Sequence, residues 1–535
     1  MIAAAALSAL QAGDNAGAEA ALKPQLALRP DDPQLLRLLA TALVRQNRPE
    51  EAEPPLRRLV AVEPLPDSLS FLADVQYRLH HFAACEETLA RLIAMDAATS
   101  EQIRQYAKVI GAKDDGLEAR AFLRDAMERT GDVNLMAAYG DTFGSDPARA
   151  ALEFEALLPR VAAKPDQTAY LLKHITLHRA RANRIARGLH PDFAVSWEDM
   201  CVWADPEGIT RLHQALVAEV TGGPKVRGGA YVDLACTALV QQNWGLAEAL
   251  LTRVRGKIRE PAADCAAFGP AFHEPIEVRS DAEILAGLAP VQHVFRLGPH
   301  APATLFLASD YGYFKRFTLP FVKALEAAGV RADVQIHLLD GDTGQWASAA
   351  ADLTFARCVH LGLSAEASGA LTEGIEKARV YYHAVRFIRL FQEVQRTGRA
   401  TWLVDADVNL LRSPLPLFKA FKDFDLAVRA IPTWLEPNWK FAAACVGVAP
   451  TPRGLEYVRR VAAYIAHWRA NGSWTWGVDQ MALYSCFARM CELGRPPAAW
   501  FLGPEAVCGP GDDTGVFQFM SGVQKYDTAA RTGPL

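Results

Sequence analysis

The sequence lacks the features that define several large classes of protein. No run of 18 apolar residues occurs, so no membrane span is expected. The 535 residues carry a net charge of only −5, which gives no reason to expect nucleic acid or an anionic membrane as partner. Walker A, G-x-G-x-x-G, H-E-x-x-H and G-x-S-x-G elements are missing, which leaves nucleotide hydrolases, dehydrogenases, metalloproteases and serine hydrolases without support.

Cysteine is scarce and scattered. The nine cysteines are an odd number, and no two of them form a C-x-x-C pair. Such a set favours reduced thiols over a disulfide framework or a zinc site, so we expect a cytoplasmic protein. The apolar first residues have no basic residues before them and continue as an amphipathic helix, so we do not interpret them as an export signal.

A repeat is visible in the first part of the chain. Ala18 and Ala52 are 34 residues apart, and so are Pro30 and Pro64; a third copy surrounds Cys85. Small residues let two helices approach closely, and Pro ends the second helix of each pair. A helix-turn-helix unit of this length resembles the tetratricopeptide repeat, whose stacked copies form an all-α solenoid.

The chain divides into three predicted regions. Residues 1–130 carry clear repeats. Residues 131–288 read as further, degenerate helical pairs, because Thr237–Asn243 nearly repeats Thr41–Asn47. An unrelated helical bundle is the alternative for this stretch. Residues 289–535 form a separate α/β domain, so the whole is a multidomain protein.

The last region alternates strands with helices. We predict a largely parallel sheet, with the ligand site at the carboxyl ends of its strands. Two carboxylates, Asp405 and Asp407, follow one buried strand directly. At this i, i+2 spacing an extended chain points both to one side, where a hard divalent cation could sit between them. The predicted strands are Thr304–Ala308, Asp333–Asp340 and Ala400–Val404, and the helices are Phe317–Gly329 and Arg379–Thr397.

Five motifs occur in order along this region. They resemble those of glycosyltransferase family 8, the galactosyltransferase and glycogenin-like group, which has the type A glycosyltransferase fold with a Rossmann-like mixed sheet. The motifs are Ala308-Ser-Asp310-Tyr-Gly-Tyr313, Tyr382-His-Ala-Val-Arg386, Leu403-Val-Asp405-Ala-Asp407, Trp476-Gly-Val-Asp479-Gln480 and Gly522-Val-Gln-Lys525.

The resemblance implies a role for each matching residue. Asp310 and Tyr313 would bind the nucleotide base. Arg386 and Lys525 would contact the donor and its diphosphate. Asp405 and Asp407 would hold Mn²⁺ or Mg²⁺, and Asp479 with Gln480 would form the catalytic pair that faces the transferred sugar.

The implied activity is metal-dependent transfer of a hexose, with retention of configuration. The donor would be a nucleotide-diphosphate sugar, with a UDP-sugar favoured. Because tetratricopeptide solenoids present grooves that bind peptides, the acceptor would be a protein, or a glycan on a protein, recruited by the repeats.

The sequence departs from the family pattern at two places. Phe519 stands where the family has a third metal ligand, a His; Asp512, Asp513 or Gln518 could substitute, or phosphates and water could complete the shell. The Asn of the family's F-N-x-G strand is missing from Phe441–Cys445.

These departures leave two alternative functions open. One is a non-catalytic repeat scaffold with a degenerate transferase domain. The other is a haloacid-dehalogenase-like phosphatase with Asp405 as its nucleophile. Against the phosphatase, about 100 residues of α/β chain precede a motif that normally opens its domain. Individual residues also have structural interpretations, since Asp310 could simply cap a helix.

Overall fold

A computed structural model describes residues 2–46, 48–111, 116–222, 226–258, 261–296, 298, 300–372, 375–472, 474–509 and 513–519. The chain forms two units, residues 1–157 and 158–535. The domain boundaries at 130 and 288 stay predictions. Within the described ranges, no helix has both the length and the apolar character needed to cross a membrane.

The first unit consists of helices, and each of the first eight packs against the one that follows it. All are short, and Pro stands at the first position of several of them, where its missing N–H costs no helical hydrogen bond. The helices are α1 (Ile2–Gln11), α2 (Asn15–Leu28), α3 (Pro33–Arg45), α4 (Pro49–Val62), α5 (Pro66–Arg78), α6 (Phe82–Ala94), α7 (Ser100–Gly111), α8 (Leu117–Thr130), α9 (Val133–Asp141) and, across the boundary of the unit, α10 (Pro147–Val161).

The predicted 34-residue helical repeat is confirmed. The small residues Ala18, Ala52 and Cys85 are all fully buried, as close helix packing requires. Helices α2 and α4 both end two residues before the prolines that were expected to stop them, Pro30 and Pro64. The repeat therefore follows from small residues at the crossings and from Pro after the second helix.

Ion pairs follow the same period. Glu19 and Glu53 stand next to the buried alanines, and both are nearly buried. Each accepts from a cation four residues later, Lys23 and Arg57 respectively. Hydrogen bonds from Lys23 and Arg48 lower the pKa of Glu19 to about 2. In these two repeats the buried carboxylate is thus paired with a cation four residues later.

The second unit begins with further helices. The pair predicted from the distant echo of the repeat is present, because α14 and α15 pack against each other and Ala247 between them is fully buried. These helices are α11 (Pro165–Ala186), α12 (Trp197–Cys201), α13 (Pro206–Thr221), α14 (Gly228–Val240), α15 (Trp244–Val254), α16 (Pro261–Asp264), α17 (Pro270–Glu277) and α18 (Asp281–Leu285).

A mixed sheet of eight strands follows, in the order β1-β4-β3-β2-β5-β8-β7-β9. β2 to β5 are mutually parallel, as predicted, whereas β8 runs antiparallel to both β5 and β7. The strands are β1 (Gln292–Phe295), β2 (Ala303–Ser309), β3 (Asp333–Leu338), β4 (His360–Ala365), β5 (Ala400–Val404), β7 (Leu426–Ala430), β8 (Phe441–Val448) and β9 (Ala499–Phe501). A smaller sheet has the order β10-β11-β6, with β6 (Asn409–Leu410), β10 (Val507–Cys508) and β11 (Phe517–Gln518).

The helices of this region cover the large sheet. The long helix predicted over Arg379–Thr397 is present and starts slightly earlier, and a π-helical turn, Phe314–Thr318, joins the first two short helices. The helices are α19 (Tyr311–Tyr313), α20 (Leu319–Ala327), α21 (Thr343–Asp352), α22 (Ile375–Thr397), α23 (Leu415–Ala420), α24 (Pro437–Lys440), α25 (Pro452–Ala470) and α26 (Val478–Glu492).

Candidate active site

The Asp-x-Asp motif follows the strand at the middle of the sheet. The Asp405 amide donates to the Ala444 carbonyl at 2.8 Å, so pairing with β8 continues beyond β5. The chain then turns at Ala406 and Asp407, instead of staying extended as predicted. The i, i+2 spacing still separates the two carboxylates from the residue between them, because Asp405 and Asp407 are half-buried while Ala406 is buried. Both carboxylates retain access to solvent.

Arg386 joins the Asp-x-Asp motif to the predicted catalytic pair. It lies on α22 and is only 6% exposed. Its guanidinium donates to the Asp405 carboxylate and, at 3.2 Å, to the Asp479 carboxylate. Burial disfavours the charge, but the two carboxylates outweigh it and raise the pKa of Arg386. The predicted contact between Arg386 and a donor stays a prediction; its structural partners are acidic.

Asp479 and Gln480 lie in the first turn of α26. The helix starts after Gly477, whose φ of 89° belongs to the left-handed region that favours glycine. Asp479 is buried, and its carboxylate accepts from the backbone N–H of Gln480 at 2.9 Å. The positive end of a helix dipole favours a carboxylate at this position. Gln480 is half-buried beside it.

Asp310 and Tyr313 follow β2 at the same edge of the sheet. Asp310 caps α19, because its side chain accepts from the Tyr313 amide at 2.8 Å. The Tyr313 hydroxyl donates to the Asp407 carboxylate, and its ring packs 4.2 Å from that of Phe317. Tyr313 therefore orients the second carboxylate of the Asp-x-Asp motif. The base-binding roles of both residues stay predictions.

The smaller sheet brings the last described residues of the chain next to the motif. Gln518 pairs in register with Asn409, and the Asn409 amide donates to the Gln518 side-chain oxygen at 3.1 Å. Asp513 is exposed, and its carbonyl accepts from Arg412. Among described residues, no third carboxylate, His or Cys joins Asp405 and Asp407 at ligand spacing. Asp512 and Lys525 lie outside the described residues.

A further carboxylate at this edge escaped the sequence analysis. Asp340 follows β3 and accepts from the Tyr382 hydroxyl at 3.1 Å and from the Thr372 hydroxyl at 3.0 Å. Burial, together with the Asp340 and Asp310 carboxylates, raises the pKa of Tyr382. Its position at the end of a predicted strand was the available signal, because strand ends are where such sheets hold ligands.

A buried ion pair supports α22 one turn beyond Arg386. Arg389 and Glu366 are both buried and paired, and the Tyr381 hydroxyl also donates to Glu366. Burial would raise the pKa of Glu366, but His337 and Arg389 hold it below its usual value. The pair fixes α22 against the end of β4.

A row of aromatic rings runs from the surface to Trp476, which is close in sequence to the predicted catalytic pair. Trp434 is 37% exposed; its ring lies 5.8 Å from that of Trp439, which lies 5.3 Å from Trp476. Trp476 stands three residues before Asp479. Trp468, by contrast, is buried and stacks on Phe272. Trp476 therefore packs in one row with Trp439 and Trp434. We call these three residues the tryptophan row (Trp434, Trp439 and Trp476).

Two segments of the chain match known families. Residues 9–69 match the tetratricopeptide repeat family, and residues 377–525 match the nucleotide-diphospho-sugar transferase family. The second match includes Arg386, Asp405 and Asp479. The chain thus joins N-terminal tetratricopeptide repeats to a C-terminal nucleotide-diphospho-sugar transferase domain, as the motifs predicted.

Several solved structures are similar to part of the chain. MamA 41-end from Desulfovibrio magneticus RS-1 is 13% identical, covers 30% of this chain and 94% of its own, with a TM-score of 0.27. A tetratricopeptide repeat protein from Parabacteroides merdae is 13% identical. The match covers 47% of this chain and 90% of that protein, with a TM-score of 0.30. YrrB, a repeat protein with an unusual peptide-binding site, is 10% identical. The match covers 42% of this chain and 95% of YrrB, with a TM-score of 0.25. TM-scores this low support no conclusion about this chain. No curated protein matches it.

Proposed function

We propose that the C-terminal domain is a metal-dependent, family 8-like glycosyltransferase that moves a hexose from a UDP-sugar to an acceptor hydroxyl with retention. One observation carries the proposal. Arg386 bridges Asp405 of the Asp-x-Asp motif and Asp479 of the Asp-Gln motif. Two motifs that are far apart in sequence therefore meet at one buried guanidinium, that of Arg386, as a shared site for donor and sugar requires.

The residues present fit a divalent cation. Asp405 and Asp407 supply carboxylate oxygens, the donors that Mn²⁺ and Mg²⁺ prefer. The phenol of Tyr313 orients Asp407, and Arg386 orients Asp405. Hydrogen bonds of this kind to a ligating carboxylate strengthen metal sites. Donor phosphates and water would complete the shell in place of the family's His, where Phe519 stands.

The proposed reaction breaks the bond between the anomeric carbon and the donor diphosphate, the acceptor oxygen forms the new bond, and the proton of the acceptor hydroxyl passes to the departing diphosphate. A bound cation would neutralise the charge of the leaving diphosphate. The Asp479 carboxylate is held by Arg386 and the Gln480 amide, so its position is set before substrate arrives. The side chain of Gln480 would hydrogen-bond the sugar hydroxyls, and Asp310 and Tyr313 would bind the base.

The tryptophan row supports a sugar ring as the part of the acceptor that enters the site. Aromatic faces stack on apolar faces of rings, while hydroxyl groups remain free for polar contacts. Trp434 is the exposed end of the row, and Trp476 stands three residues before Asp479. The acceptor would therefore be a glycan, alone or attached to a protein.

The repeats supply the second half of the proposal. Solenoids of this type recruit peptides through extended grooves, so the first unit would hold a protein that carries the acceptor. We also propose a cytoplasmic location, because all nine cysteines are free thiols.

Release of UDP from UDP-glucose and UDP-galactose, with Mn²⁺ or Mg²⁺, tests this function. We expect slow, metal-dependent hydrolysis even without the acceptor, since water can replace its hydroxyl. The Asp479→Asn variant should lose this turnover while it keeps nucleotide binding. Nucleotide binding without turnover of any donor would favour the non-catalytic scaffold, and release of phosphate from a phosphomonoester would favour the phosphatase.

A further inference from the structure

A cavity separate from the candidate active site lies between the helical part of the second unit and α26. Its volume is about 170 Å³. An apolar cavity of about 150 Å³ is known to hold benzene, so this one has room for a single six-membered ring. Aromatic side chains form much of its wall, namely Trp197, Trp203, Trp244 and Tyr484.

Lys440 lines this cavity together with the aromatic side chains. The residue is 3% exposed, and its ammonium lies 5.8 Å from the Trp203 ring centre and 5.9 Å from that of Tyr484. In the described part of the chain, no carboxylate lies within ion-pair distance of it. A buried charge is costly unless an opposite charge meets it. The geometry therefore leaves a place for an anion inside the cavity.

The nearest acidic residues are committed elsewhere. Glu436 stands one turn before Lys440 and pairs with Lys173, which also pairs with Asp233 at 2.6 Å. Glu492 lines the cavity, but its carboxylate accepts from Arg489 at 3.2 Å. Neither carboxylate neutralises Lys440. Arg489 offsets the negative charge of Glu492 and so reduces the repulsion between Glu492 and an incoming anion.

We propose that this cavity binds a six-membered ring that carries one carboxylate. The ring would lie among the tryptophans, and the carboxylate would accept hydrogen bonds from Lys440. The same chemistry occurs in a hexuronic acid and in an aromatic acid. Gln242 and Glu492 at the cavity offer polar groups for ring hydroxyls, which an aromatic acid would leave unused.

The charge state of Lys440 suits this role. Burial lowers the pKa of Lys440 to about 8, although Cys236, Cys201 and Glu436 act in the opposite direction. The side chain is therefore still mainly protonated at pH 7 and can donate to a carboxylate.

The position of the cavity does not depend on the proposed transferase activity. Lys440 immediately precedes β8, and Tyr484 lies one turn after Gln480 on α26. None of the residues assigned to the active site lines the cavity. Its occupant can therefore be tested by binding alone, without turnover.

The experiment titrates four ligands into the full-length protein by calorimetry. Glucuronate is paired with glucose, and benzoate with benzamide, so that each acid has a neutral counterpart of the same ring. We expect at least one acid to bind roughly ten- to a hundredfold more tightly than its neutral counterpart, the usual effect of a buried charged hydrogen bond. Tighter binding of glucuronate would point to a hexuronic acid as the ligand, and tighter binding of benzoate would point to an aromatic acid.

A lysine substitution provides the second arm. Lys440→Met should abolish binding of the acid. Lys323→Met is the matched control, because Lys323 also lies over an aromatic ring, Phe355 at 5.7 Å, but is exposed. Equal binding of acid and neutral ligand, no binding of either acid, or full binding to Lys440→Met would each overturn the proposal. If Lys440→Met does not fold, the comparison of acid with neutral ligand on the unchanged protein still decides.

Discussion

Arg386 donates a hydrogen bond to Asp479 at 3.2 Å, and its other terminal nitrogen donates to Asp405. The two carboxylates come from different elements, since Asp405 follows β5 and Asp479 lies in the first turn of α26. One buried guanidinium therefore fixes the relative position of the predicted metal motif and the predicted sugar-facing pair.

Replacement of Arg386 by Met should destabilise the second unit by about 3 kcal/mol, because it leaves the buried Asp479 without its cation. Lys315→Met is the control in the same unit. Lys315 is exposed and pairs with Asp352, which also keeps access to solvent, so loss of this surface pair should have a much smaller effect.

Urea unfolding followed by tryptophan fluorescence measures both variants. All 11 tryptophans lie after residue 157, so the signal reports on the second unit alone. Equal unfolding midpoints for the two variants would contradict the bridging role of Arg386.

Removal of the Tyr313 hydroxyl should weaken the metal site. Tyr313→Phe keeps the ring but deletes the donor to Asp407, and loss of such an orienting bond typically costs ten- to a hundredfold in metal affinity. Tyr311→Phe is the control, since that hydroxyl donates to Ser348 at 2.9 Å, away from the two carboxylates. Titration of Mn²⁺ in the presence of UDP gives both affinities. An unchanged Mn²⁺ affinity in Tyr313→Phe would limit Tyr313 to base binding.

Truncation of Trp434 should affect the acceptor and leave the donor unaffected. Its ring is the exposed end of the tryptophan row, so Trp434→Ala should raise the KM for a glycan acceptor roughly tenfold, at the stacking energy typical of aromatic pairs. Trp434→Phe, which keeps a flat ring, should restore most of the loss. UDP-sugar hydrolysis by water should not change. Equal KM values for the Ala variant and the unchanged protein would remove Trp434 from the acceptor site.

Acid should destabilise the second unit through His273. Burial, reinforced by Arg489, lowers the pKa of this imidazole to about 4. The Ser485 hydroxyl, which itself donates to Ala267, lies 3.0 Å from Nε2, while Nδ1 is buried without a partner. A second proton would therefore have no acceptor in the folded state.

The direction of the pH effect follows from that shift. The unfolded histidine has its ordinary pKa of 6.5, so unfolding gains a proton below this pH and stability falls until about pH 4. The loss amounts to about 3 kcal/mol. His273→Gln should flatten this part of the profile, whereas His300→Gln, at an exposed histidine, should not. Identical profiles for the His273 variant and the unchanged protein would contradict the assignment.

The parts of the fold that depend on local chemistry were predictable. Small residues at a period of 34 predicted the repeats, and apolar runs alternating with an amphipathic helix predicted β2, β3, β5 and α22. Strands β7 and β9, and the antiparallel direction of β8, were not predicted, because the pairing of β8 with β5 and β7 and of β9 with β7 depends on long-range contacts that leave no local signal. The turn at Ala406 and Asp407 was likewise set by tertiary structure.

The candidate site was predictable as a list of residues and less so as an arrangement. Asp405, Asp479 and Arg386 were each identified, but their mutual hydrogen bonds were not, since no local pattern links α22 to α26. The contact of the Tyr313 hydroxyl with Asp407 was not foreseen, and the expected role of Tyr313 at the base stays a prediction. Asp340 was missed because a single carboxylate after a strand is common.

Calorimetric titration of UDP and GDP, with and without Mn²⁺, tests the central claim most directly. We predict that UDP binds only with Mn²⁺, and that the Asp405→Ala/Asp407→Ala double variant loses this binding. An Asp342→Ala variant, which alters an exposed helix cap, should bind as the unchanged protein does. Failure of both nucleotides to bind under every metal condition, or equal binding by the double variant, would contradict a metal-dependent nucleotide-sugar site at Asp405 and Asp407.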